Sequence, residues 1–232
     1  MTCGQPNQPI FIMQRIFAGL SATAIGLSFL LPGGEAAAPT DDWVFKKERD
    51  NVKVYTKKMA NGQTAVKLCS SVQASLPGVA LLFSDVDDYV KWGYKMQESK
   101  LLRRISDTEM CYYAKFDFPW PLHDRDIAMH STLKQDASTK ALFYENVAKP
   151  DLVAKQKNVV RIEEATTQWH FFAPRNGWMY LEQYIYSDPG GDIPTWASDF
   201  AVDSGPIETI RGIRRRLLDE RYQNAKLAHI AE

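Results

Sequence analysis

The chain has 232 residues, 45% of them hydrophobic, which is enough for one substantial domain with a buried core. Lysine plus arginine equals aspartate plus glutamate at 28 each, with an isoelectric point near 6.9. No global field therefore draws the chain to nucleic acid or to an anionic membrane, and a nucleic-acid partner is not expected.

Residues 1–38 differ from the rest. Arg15 precedes an apolar run, Ile16 to Leu31, followed by Pro32-Gly33-Gly34 and Glu35-Ala36-Ala37-Ala38. This is the three-part pattern of a secretory signal peptide, with cleavage near 36–38 and a single domain over 39–232. The run of 16 residues falls short of the roughly 20 needed to span a bilayer. The mature protein is then expected outside the cell or in a periplasm. It retains Cys69 and Cys111, too few for a disulfide framework; the sequence leaves open whether they pair or stay as buried thiols.

Val52 to Thr56 and Thr64 to Val72 read as a hairpin around the Asn61-Gly62 turn signal. Leu76 to Trp92 carries apolar residues at the three-four spacing of a helix face. Short strands follow over 101–106, 109–117, 126–134, 141–147, 159–163, 166–172 and 178–187, each bounded by turn residues. The chain closes on a long helix from Ile193 to about Ala228, interrupted at Gly205-Pro206. Ile207, Ile210, Ile213 and Leu217 fall on one side of it.

Many antiparallel strands between two helical regions suggest an α+β domain in which one curved sheet buries its apolar face against the terminal helix. Between two of the strands lies Phe118-Pro-Trp-Pro-Leu-His-Asp-Arg-Asp-Ile-Ala-Met-His130. This stretch resembles the proline-rich segment ending in Arg-Asp that opens a central strand in START domains, the steroidogenic-acute-regulatory-related lipid-transfer family. Gly190-Gly-Asp-Ile-Pro-Thr-Trp-Ala197 is similar to that family's entry into its C-terminal helix, and Trp92 matches the end of its early helical region. The resemblance covers about residues 40–228. It implies a helix-grip fold whose sheet and terminal helix enclose a tunnel for one lipid or similar apolar molecule, closed by the loop before the Arg-Asp strand.

Pro119 and Pro121 each remove a backbone donor and push the preceding residue towards extended geometry, so that loop stands as a stiff flap. Phe118, Trp120 and Leu122 give it an apolar side, and Arg125 and Asp126 fix its base. These seven residues are the candidate gate. Alternation nominates the tunnel wall: Ile127, Met129 and Leu133 on one strand, and Met110, Tyr112 and Phe116 on its neighbour. Trp169 and Phe171 follow on another strand, and Leu181, Gln183 and Ile185 on the next. Trp196, Phe200, Ile207 and Ile210 complete it from the terminal helix. Gln183 is a polar group on an apolar face, costly unless satisfied, and so a candidate to orient a ligand's hydroxyl or carbonyl.

His123, His130, His170 and His229 show no metal-ligand spacing, and no nucleophile elbow or phosphate loop appears. No cofactor is expected. The favoured reading is a monomeric, non-enzymatic protein that binds, and in one version transfers, a lipid or other apolar molecule, with transient membrane contact. The alternative is a helix-grip enzyme of cyclase or aromatase type acting on an apolar substrate in the tunnel.

Overall fold

Val52, Val54 and Thr56 turn to the buried side of their strand, while Lys53, Tyr55 and Lys57 turn away from it. The same alternation recurs in strand after strand and builds one sheet with an apolar concave face. The computed structural model describes residues 42–191 and 204–232. The expected leader, the start of the terminal helix at Ile193, Trp196 and Phe200 lie outside the described residues.

Among the described residues there are ten strands: β1 (Val44–Arg49), β2 (Val52–Lys58), β3 (Thr64–Gln73), β4 (Met96–Ser106), β5 (Glu109–Phe116), β6 (Asp124–Gln135), β7 (Leu142–Ala148), β8 (Val159–Arg161), β9 (Glu164–Phe171) and β10 (Trp178–Asp188). They run antiparallel in the order β1-β2-β3-β10-β9-β7-β6-β5-β4, and β8 lies parallel to the first residues of β6. The outermost strands are irregular: β1 slips register between Phe45 and Lys47, and β4 does so three times against β5. β1 was not anticipated from the sequence. Its residues are mostly exposed, and it turns into β2 through Asp50 and Asn51, both at positive φ.

The first helical region divides. Helix α1 (Leu76–Ser84) starts at Ser75, whose hydroxyl accepts the Gly78 amide at 3.1 Å, and stops at Asp85. A 3-10 turn, Val86–Lys91, follows. Asp85 leaves helical geometry, with its carboxylate 2.7 Å from Arg221 and accepting the Tyr222 hydroxyl.

The terminal helix is shorter at its end than expected. Helix α2 (Gly205–Leu217) stops before Asp219, which is extended and pairs through its carboxylate with Arg216; a single turn, α3 (Glu220–Gln223), follows. The 13 residues of α2 span about 20 Å. Ile207, Ile210, Ile213 and Leu217 are fully buried on the sheet, as the spacing requires. Gly212 brings the helix against the chain at Trp92: a Cβ there would sit 2.3 Å from the Trp92 carbonyl oxygen. Arg214 donates to the Asp50 and Ser71 carbonyls and to the Ser70 hydroxyl, and Arg216 reaches Asp88 at 2.7 Å. The arginine run therefore ties the helix to the hairpin and to the 3-10 turn, and only Arg215 is fully exposed.

The main core lies between α1, α2 and one end of the concave face. Phe83 is central to it, its ring within 4.9–5.6 Å of Tyr144, Trp169, Phe171 and Trp92. Cys69 and Cys111 are buried in β3 and β5, with four strands between them, and are not joined in a disulfide.

Candidate functional site

The registers lay the concave face out in rows across the strands. Nearest α2 are Leu181, Phe171 and Leu142, all fully buried. Next come Leu68, Gln183, Trp169, Tyr144 and Leu133. The third row is largely polar: Thr167, Asn146 and Ser131 sit between Ile185 and Met110, and the Asn146 amide donates to Thr167 at 3.0 Å. Beyond it a second, smaller apolar cluster forms from Ala114, Ile127, Met129, Ile162 and Ala165, flanked by Tyr112, Phe116 and Ala148. Phe116 and Arg125 close the face beside the flap.

Two apolar clusters on one face, with a polar row between them, are not a single packed core. The end covered by α1 and α2 is closed by buried side chains. Towards the flap, Tyr112, Phe116, Ile185, Thr167 and Ser187 all face the concave side and are only half-buried, so among the described residues this end of the face is covered less completely. Phe171, Leu181, Ile207 and Ile210 belong to the closed end. Tyr112, Phe116 and Ile185 lie at the less covered end beside the buried Ile127 and Met129, with Met110, Leu133, Trp169 and Gln183 between the two regions.

Two buried polar atoms beside the polar row have no hydrogen-bond partner among the described residues: Gln183 Oε1 and the Tyr144 hydroxyl. An unpaired buried group costs about 1–3 kcal/mol. Burial raises the pKa of Tyr112 and of Tyr144 well above the ordinary tyrosine value, so both hydroxyls stay protonated at neutral pH. Along β5, β6, β7, β9 and β10, Arg125 is the one inward-facing side chain charged at neutral pH.

Residues 118–123 connect β5 to β6. The Phe118 amide donates to Asp124, and the Leu122 amide closes a turn onto the Pro119 carbonyl. Trp120 at the tip is 90% exposed. Arg125 and Asp126 do not pair with each other, because successive residues of a strand face opposite sides. Asp126 points to the convex side and meets Arg161 at 2.7 and 2.9 Å in a two-pronged pair, with the Tyr113 hydroxyl as a third partner. Arg161 also donates to the carbonyls of Pro150 and Val153, so the pair pins the 149–161 segment under the sheet. Arg125 turns inward and donates to the carbonyls of His123, Pro189 and Gly190.

Arg161, Tyr144, Asn146 and Ser131 were not singled out from the sequence. Alternation placed Ser131 on the inward face, but nothing local marks Arg161, whose partner is 35 residues away.

The START domain family model matches residues 34–221. The chain belongs to the START domain family. An uncharacterized protein of Pseudomonas aeruginosa is 28% identical over 197 residues, 84% of this chain and 95% of that protein. The phosphatidylcholine transfer protein of Rattus norvegicus is 22% identical over 171 residues, 71% of this chain and 78% of its own. Among solved structures, the fragment 25–204 of a STAR-related lipid transfer protein from Xanthomonas axonopodis superposes with a TM-score of 0.71 at 26% identity, covering 77% of this chain and all of that one. Human STARD10 shares the fold, with a TM-score of 0.65 at 16% identity over 77% of this chain and 74% of its own. The curved sheet closed by a C-terminal helix is the helix-grip fold of these neighbours.

Proposed function

We propose that this START domain binds one lipid, or a molecule of similar apolarity, in the hollow between the concave face and the flap, and carries it rather than transforms it. The observation that carries the reading is the break in the core. Two apolar clusters face the same space, with half-buried Ile185 in the row between them, Tyr112 touching both and half-buried Phe116 at the flap end, and a guest of hydrocarbon character would join them. Gln183 Oε1 and the Tyr144 hydroxyl, buried and unpartnered, are suited to a hydroxyl or amide on that guest. The family and the named lipid-transfer relatives support the same ligand class.

A catalyst would need acids or bases turned inward, and the inward positions of these strands carry one arginine and two tyrosines held protonated. Entry in this reading is by the 118–124 flap. The exposed Trp120, flanked by prolines, is placed to meet a membrane interface during exchange. The N-terminal leader, with residues 1–38 removed, would deliver the domain to a periplasm or the exterior.

The test is mass spectrometry of organic extracts from gently purified full-length protein. A stoichiometric apolar molecule that disappears from a Met129→Trp variant is the expected result. An empty protein that also fails to bind any member of an apolar ligand panel would refute the reading.

A further inference from the structure

Two arginines lie buried where β6 and β8 run side by side, and their surroundings differ. Arg161, on the convex side, has the full carboxylate of Asp126 and two carbonyls at 2.6 and 2.8 Å. Arg125, on the concave side beside Phe116 and Val160, is 2% exposed and has no carboxylate within ion-pair distance among the described residues. Its Nε and Nη2 reach the carbonyls of Pro189 and Gly190 at 3.5 and 3.4 Å, the far limit of a hydrogen bond, and Nη1 donates to His123. The guanidinium lies 4.4 Å over the Phe118 ring.

Neighbouring carboxylates are committed elsewhere. Asp124 accepts the Phe118 amide and lies 3.2 Å from Lys115; Asp126 belongs to Arg161; Asp188 accepts the Gly190 amide. A guanidinium has five N–H donors, and here three are engaged, two of them weakly. A buried cation held this way is costly, and burial accordingly lowers its pKa. Among the described residues no counter-charge reaches it, and its inward aim turns it to the concave side.

We propose that Arg125 is the anion-binding end of the hollow and takes the carboxylate or phosphate head of an amphiphile whose chain lies along Ile127, Met129 and Tyr112. This rests on the reading that the hollow holds an apolar ligand and adds the charge of its head. The planar fork of the guanidinium matches two oxygens of such a head, and charge-assisted bonds outcompete the long ones to Pro189 and Gly190. Outside Gly190 lies a groove of about 470 Å³ that carries Glu163, Glu164 and Asp188 together with Lys155 and Arg161. Lys155 is paired with Glu163 and Arg161 with Asp126, which leaves Glu164 and Asp188 to disfavour an anion on that side, so the head arrives from the concave side, past Phe118.

The test uses the full chain and three probes sharing one saturated alkyl chain: the carboxylic acid, the phosphate monoester and the alcohol. Each competes with a neutral fluorescent reporter at mildly alkaline pH. In the wild type at least one anion binds about tenfold or more tightly than the alcohol, and the tighter anion identifies the head. Arg125→Gln brings all three level, and Arg125→Lys retains part of the preference. The inference is overturned if the wild type holds the alcohol as tightly as both anions, or if the preference survives Arg125→Gln. Should Arg125→Gln fail to fold, the wild-type comparison and Arg125→Lys decide. If none of the probes displaces the reporter, the reading of the hollow fails, and this one with it.

Discussion

Substituting Gly212 by alanine tests how the terminal helix is held to the rest of the domain. On an isolated helix the change would stabilise by up to about 1 kcal/mol, because glycine loses more backbone freedom on folding. Here the new Cβ would stand 2.3, 2.7 and 2.9 Å from the carbonyl oxygen, Cα and carbonyl carbon of Trp92. All three are backbone atoms, so no side-chain rotation relieves the clash. Overpacking typically costs about 1–3 kcal/mol, and contacts this short belong at the top of that range. The net effect is a loss of about 2 kcal/mol, or a fall of about 4–8 °C in Tm for a chain of this size. Urea denaturation and calorimetry of Gly212→Ala beside Arg215→Ala, an exposed control expected within about 0.5 kcal/mol of wild type, measure it. A Gly212→Ala midpoint equal to or above wild type would refute the close approach of α2 to Trp92.

Asp126→Asn should cost about 3–5 kcal/mol, read from the denaturant midpoint, because it leaves the Arg161 guanidinium buried without its counter-charge. Met129→Trp, in the hollow, should abolish ligand binding with little loss of stability, whereas Leu181→Trp, in the closed core, should lower stability by about 1–3 kcal/mol; equal losses in both would remove the distinction between hollow and core. Burial would raise the pKa of Asp88, but hydrogen bonds from Arg216, Lys91 and Tyr222 outweigh it and hold the carboxyl below its ordinary 3.8. A depressed carboxyl contributes stability above its unfolded pKa and loses it as pH falls through the folded one. The stability gap between wild type and Asp88→Asn should therefore narrow below about pH 4, and a gap constant from pH 6 to pH 3 would contradict the assignment.

β2, β9 and β10 were legible because each buries one face more than the other, so period two is written into the residues, whereas β3, β5 and β6 bury residues of both faces and were legible from their apolar and β-branched or aromatic content between turn residues. β1 was not, since both its faces are largely wet and pairing alone makes it a strand. The terminal helix was drawn too far because residues after Leu217 keep good helix formers. What ends it is a pull of charges, local from Arg216 on Asp219 and long-range from Arg221 on Asp85, which periodicity does not record. The inward rows of the site followed from alternation, and Gln183 was found because a polar residue broke an apolar face. Arg125 and Asp126 were recognised together yet face opposite ways. Only the distant Arg161 explains why Asp126 has a charged partner, while Arg125 has carbonyls and no carboxylate among the described residues.

A sheet that does not close on itself has two margins, and a margin is where one chain can template another. Both margins here are bent out of register, β1 near Lys46 and β4 along Lys100, Arg103 and Arg104. The slips twist each rim away from a straight ladder, and the cations repel a second copy laid alongside. Straightening one rim by deleting Lys46 and neutralising Lys47 would leave the cradle intact while turning its border into a seed for filaments.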